Sequence, residues 1–84
     1  MMKYKKFSTV AKNYHYEVIQ MELNKDDSIY CHIFKDDYFI GDCNIKFIDD
    51  CHITVSDLMI DRSDDIETGT KHVMDLLETH FVVN

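Results

Sequence analysis

The sequence predicts an α+β domain in two layers, an antiparallel meander sheet of about four strands packed on a C-terminal helix. Three observations carry this. Alternating apolar runs fill the middle of the chain, the links between them are short and rich in aspartate, and the last twenty residues change to a helical period. With 84 residues the chain is read as one small domain over 1–84. A hydrophobic share of 45% and an aromatic share of 12% are enough to fold it, despite 30% charged residues.

Residues 1–13 read as a basic N-terminal arm or short helix. Lys3, Lys5, Lys6 and Lys12 fall there with no acid among them. In "YHYEVIQMEL" (Tyr14 to Leu23), Ile19, Met21 and Leu23 alternate as in a strand. Phe7, Val10, Ala11, Tyr14, Val18 and Met21 also fit a helical stripe. The density of β-branched and aromatic residues from Tyr14 onward favours strand, so antiparallel strands are expected over 14–61. "SIYCHIF" sets Ile29, Cys31 and Ile33 against Tyr30, His32 and Phe34. "YFIGDCNIKF" groups Phe39, Gly41, Cys43, Ile45 and Phe47. Matching of apolar faces asks for an odd number of residues in each tight turn, which places Ile33 near Phe39 and Ile45 near Ile53.

The next segment, "CHITVSDLMID", breaks its own rhythm. Ile53 and Val55 share a parity, and Leu58 and Ile60 take the other. Successive strand residues face opposite ways, so one core can take all four only through a backbone irregularity near Ser56-Asp57. A helix follows over 63–82, with Ile66, Val73, Leu77 and Phe81 on one stripe, and Thr70 and Met74 beside it. Asp64 and Glu67 resemble a capping box. Gly69 would weaken a helix interior, and belongs near the helix start or against the sheet.

The net charge is −7, and all 16 acidic residues lie after the lysine-rich start, against 5 remaining bases (9 − 4). Such a body repels phosphate backbones and attracts basic surfaces. Direct nucleic-acid binding by it is not expected. No apolar run approaches the ~20 residues of a membrane span, and no signal-like h-region opens the chain. Three cysteines at low density suit a reducing, cytoplasmic setting.

"CHI" occurs twice, at Cys31-His32-Ile33 and Cys51-His52-Ile53. Neighbouring strand residues point apart, so a shared zinc site is not expected. All three cysteines are assigned to the core face, and no metal, cofactor or catalytic residue is assigned. Aspartate pairs at 26–27, 36–37, 49–50 and 64–65 serve as turn and cap residues. They would also supply docking charge, with Asp36, Asp37, Asp64 and Asp65 at one end of the meander. Tyr30, His32, Phe34 and Tyr38 form an aromatic patch facing away from the helix. It suits a protein partner or a second copy in a homodimer; coverage by Phe7 and Val10 of the N-terminal segment is the other reading.

From about Tyr38 to Phe81 the chain resembles the central region of GNAT-type acetyltransferases. There a hairpin like "FIGDCNIKF…CHITVSDLMID" feeds a loop and then a helix. That family's central strand carries a bulge whose splayed backbone binds the pantetheine arm of acetyl-CoA. The resemblance implies a bulge at Ser56-Asp57 and exposed backbone at Leu58 to Ile60. The family's glycine-rich pyrophosphate loop is replaced by "DRSDDIETGT". Only Gly69, Thr68 and Thr70 correspond, and Asp64, Asp65 and Glu67 add negative charge. The expected function is therefore that of a non-enzymatic, acidic protein-binding module docking on a basic partner. This profile resembles phage or mobile-element inhibitors, among them anti-CRISPR proteins and nucleic-acid mimics. A truncated, acetyltransferase-like acyl-CoA-binding domain is the alternative.

Overall fold

The computed structural model describes residues 8–61 and 65–84. The chain runs β1 (Ser8–Lys12), β2 (Tyr16–Leu23), β3 (Ile29–Lys35), β4 (Tyr38–Phe47), β5 (His52–Ile60), α1 (Ile66–His80) and β6 (Val82–Val83). It is α+β, with one sheet in the order β1-β2-β3-β4-β5-β6. Among the described residues the sheet has six strands where about four were expected, and it is mixed: β6 runs parallel to β5. A parallel return needs a crossover of a dozen residues or more, and α1 supplies it. The ambiguous stretch after Tyr14 is strand β2. Part of the expected N-terminal arm, Ser8–Lys12, pairs with it as β1.

Each antiparallel pair is interrupted once. The shifts fall between Thr9 and Ala11, Gln20 and Glu22, Phe39 and Gly41 (opposite Ile33/Phe34), and Ser56 and Met59 (opposite Asp42/Asn44). Two of these restore facing after an even loop. Asp36 and Asp37, at φ 49° and 71°, make a two-residue turn that pairs Lys35 with Tyr38. An even loop alone would keep Ile40 inward but turn Gly41, Cys43 and Ile45 outward, and the irregularity at Ile40 brings those three inward as well. The odd-turn expectation fails here: Phe34, not Ile33, stands opposite Phe39, and Ile45 meets Val55. Bulges bend strands and deepen twist. The sheet curls, so that α1 approaches β1 and β2 on one flank and β5 and β6 on the other.

The parity break in β5 is a true bulge. Asp57 and Leu58 together oppose Cys43, and Asp57 takes a positive φ of 54°. Ile53 and Ile60 are both buried, and Val55 and Leu58 pack on the same core. That core also holds Val18, Ile29, Cys31, Ile33, Cys43 and Ile45, closed by Val73, Leu76 and Leu77. Each such aliphatic side chain contributes about 1.5–3 kcal/mol when fully buried. Cys31 and Cys43 face each other across β3 and β4. Hydrogen bonding to Cys31, then burial, pushes the Cys43 thiol up. Cys51 departs from the expectation: it lies just before β5 and is exposed.

The helix begins at an Asp65 N-cap, whose Oδ1 accepts from Thr68 N at 3.0 Å and whose Oδ2 accepts from Thr68 Oγ1 at 2.6 Å. The capping residue is thus Asp65; Asp64, the residue expected in that role, lies outside the described residues. The buried stripe is Gly69, Val73, Leu76 and Leu77, while Ile66 is 55% exposed.

One buried polar group stands out. Gln20 faces the core opposite Cys31, and its Nε2 finds no hydrogen-bond partner among the described residues. An unsatisfied buried amide costs about 1–3 kcal/mol. Gln20→Met, of similar shape, is expected to raise stability by about 1 kcal/mol in urea denaturation; a loss of stability would show that the amide is satisfied.

Candidate functional site

The sheet face turned away from α1 carries the candidate site. Strand pairing aligns three rows across it: Glu17–Phe34–Phe39, Thr9–Ile19–His32–Asp42–Met59, and Glu22–Tyr30–Asn44–Ser56. The aromatic rings of this face meet. His32 and Phe39 have centroids 4.7 Å apart, Phe34 and Phe39 5.9 Å, and Tyr30 and His32 5.3 Å. All four are half-buried. Tyr30 Oη donates to Asp42 Oδ2 at 2.8 Å, and this bond, then desolvation, pushes the phenol up.

Tyr30, His32 and Phe34 are therefore brought together as the sequence implies. Tyr38 is not. It stands opposite Lys35, whose Nζ lies 5.6 Å from the centre of the Tyr16 ring on the helix-facing side. Tyr38 is 76% exposed there, and Phe39 takes its place in the patch. The cause is the irregularity at Ile40, which inverts facing between Phe39 and Gly41.

Beside the aromatic rows, the β5 bulge shapes a polar cleft lined by Glu22, Lys25, Asp26, Tyr30, Ser56 and Asp57, among others. Its floor is a chain of hydrogen bonds. Asn24 Nδ2 donates to Ser28 Oγ (2.9 Å) and to Asn44 Oδ1 (2.9 Å), and Asn44 Nδ2 donates to Asp57 Oδ2 (3.1 Å). Ser28 donates through Oγ and N to Asp26 Oδ1, holding that carboxyl below its usual range. Glu22, Asp26 and Asp57 set three carboxylates around one lysine in a concave surface. Sequence reasoning missed Glu22, Phe39 and Asp57 as site residues; the parity break alone pointed to Asp57.

The described aspartates of these pairs fall at the two ends of the sheet, and Asp64 lies outside the described residues. Asp36 and Asp37 turn β3 into β4 at the end where β5 stops and α1 begins with Asp65. There His15 Nδ1 lies 2.9 Å from Asp36 Oδ1. Hydrogen bonds from Thr68, side chain first, hold the Asp65 carboxyl below its usual range. These residues act in turns and a cap, while remaining exposed. At the opposite end, Asp49 Oδ1 accepts from the backbone N–H of Cys51 and of His52, both at 2.9 Å. It also lies 2.8 Å from His52 Nδ1. Those bonds, led by the Cys51 N–H, hold the Asp49 carboxyl well below the usual range. Cys51 Sγ lies 3.3 Å from the same His52 Nδ1, and Asp49 pushes the thiol up. A nucleophilic relay needs thiol and carboxylate on different ring nitrogens, and a depressed thiol. This trio has neither.

Among the described residues, ion pairs form only at His15–Asp36 and His52–Asp49. None of Lys12, Lys25, Lys35, Lys46 or Lys71 bridges a carboxylate within that set. No described helix is long and apolar enough to cross a membrane. Comparisons with protein-family models, with curated proteins and with solved structures found no match to the chain.

Proposed function

We propose that this protein is an acidic protein-binding module whose helix-free sheet face docks on a basic partner surface. One observation carries the reading: the aromatic patch of Tyr30, His32 and Phe34 lies among Glu17, Glu22, Asp42 and Asp57, and no described lysine forms an ion pair with those carboxylates. Aromatic side chains supply contact area at low entropic cost, and a ring of carboxylates selects arginine or lysine while repelling nucleic acid. Asp36, Asp37 and Asp65 extend the same negative field along one end. An inhibitor that occupies the basic groove of a nucleic-acid-handling protein, as anti-CRISPR proteins and nucleic-acid mimics do, fits this chemistry.

The test starts from a partner captured by the intact chain and identified, with association rates then measured across salt. Exposed charges are screened over about 8 Å at physiological ionic strength, so the rate is expected to fall steeply with salt. Glu22→Gln with Asp57→Asn is expected to slow association, and Phe34→Ala to speed dissociation. Salt-independent binding, unchanged by both sets, would overturn the reading.

A second reading follows from the edge of β5. β6 pairs only with His52 and Ile53, so no described strand covers the other side of β5 from Thr54 to Ile60. Backbone free along a bulged strand is what an acetyltransferase-like acyl-CoA site would use. Stoichiometric binding of acetyl-CoA in calorimetry would favour this reading over docking.

A further inference from the structure

The β4–β5 loop brings three chemically different donor atoms to one point, and the docking surface does not use them. Asp49 Oδ1, Cys51 Sγ and His52 Nδ1 stand 2.8, 3.3 and 3.5 Å apart, taking the Asp–His, Cys–His and Asp–Cys pairs in turn. We propose that this loop is a binding site for a divalent transition metal of the zinc class. Those three atoms are its protein ligands, and the remaining position is open to water or to an exchangeable ligand.

The two sulfur distances are close to those of a chelate, and the Asp49–His52 pair, held at 2.8 Å by a hydrogen bond, opens when the ion replaces the shared proton. Sulfur, nitrogen and oxygen bound to tetrahedral zinc at about 2.0–2.3 Å stand roughly 3.3–3.6 Å from one another. A point about 1 Å outside the plane of the present donors reaches all three at about those bond lengths. The site is also held in place before any ion arrives. Asp49 Oδ1 is fixed by the Cys51 and His52 N–H groups, and Ile48 N donates to the His52 carbonyl at 2.8 Å. From the other side, Val82 N at the start of β6 donates to the Cys51 carbonyl at 2.7 Å.

The donor set selects the ion. Magnesium and calcium prefer all-oxygen shells, whereas a mixed thiolate, imidazole and carboxylate set suits zinc and its neighbours. Binding releases the Cys51 thiol proton to solvent and leaves His52 neutral, with its proton on Nε2. Thiolate and carboxylate then balance the two charges of the ion. Strand geometry excludes such a site at Cys31-His32, where the pair points to opposite faces. Cys51 escapes that exclusion because it precedes the strand, which begins at His52. All three side chains are reachable from solvent, with Asp49 and Cys51 exposed and His52 half-buried.

Cobalt(II) is the probe, because a thiolate–cobalt bond gives intense near-ultraviolet charge-transfer absorption that zinc removes by displacement. The reduced, intact chain is expected to develop this band to one equivalent of cobalt. Cys51→Ser is expected to abolish it, and Asp49→Asn and His52→Gln to weaken cobalt binding more than about tenfold. Parent and variants are compared by Tm, and Cys51→Ser, at an exposed position, is expected to keep the parent value. No thiolate band at saturating cobalt overturns the proposal. So does a band that survives Cys51→Ser, since only Cys31 and Cys43, both buried, would remain to supply the sulfur.

Discussion

Gly41→Ala is expected to destabilise the fold by about 3 kcal/mol or more, measured as a lowered urea midpoint at unchanged slope. A Cβ at this position would stand 2.0 Å from the Met59 carbonyl oxygen and 3.0 Å from the Ile60 Cα. Both are backbone atoms of the neighbouring strand, so no side-chain rotation relieves the clash. Glycine is not here for an unusual φ, because no glycine in the described chain has a positive one. It is here for space, where β4 and β5 close together again beyond the Asp57 bulge. Alanine would restrict the unfolded chain and so favour folding by about 0.4–1 kcal/mol. The clash must outweigh that gain. A loss below about 1 kcal/mol would mean that β5 does not return to β4 in this register.

Leu77→Ala is expected to cost about 2–5 kcal/mol, as cavity-forming truncations in tight cores do. Leu77 is fully buried, at 0% exposure, on the face of α1 that closes the curled sheet. The same truncation at Ile66, in the first turn of the same helix and 55% exposed, should change stability by no more than about 0.5 kcal/mol. The contrast separates burial from helix propensity, since both changes place the same good helix former. Equal effects at the two positions would show that α1 docks through a different stripe.

The strands β2 to β5 and the C-terminal helix were legible because their apolar patterns are long. The bulge at Asp57 was legible too, since a change of parity inside one strand has no other way to serve a single core. β1 and β6 were not. Ser8–Lys12 holds only Val10 and Ala11 as apolar residues, with a register shift between Thr9 and Ala11, and Val82–Val83 is two residues long. The exchange of Tyr38 for Phe39 traces to Asp36-Asp37. An even, two-residue turn was discounted on facing grounds, and the compensating irregularity at Ile40 leaves no mark in an apolar sequence. Cys51 was placed inside because "CHITV" reads as continuous strand. The loop in fact extends through it, held by Asp49. Leu76 rather than Ile66 completes the helix stripe with Gly69, Val73 and Leu77, and Ile66 stays exposed at the first helical position.

The bulge also bears on how copies of the chain behave in crowded solution. An uncovered strand border is a template on which identical molecules can add, and among the described residues no strand covers the stretch from Thr54 to Ile60 beyond β6. Asp57 spoils the template. Its left-handed backbone kinks the line of amide groups midway, and its carboxylate would meet its own likeness in an incoming copy. A flat run of valine, leucine, methionine and isoleucine would invite fibrous stacking; a kink and a charge within it oppose such stacking.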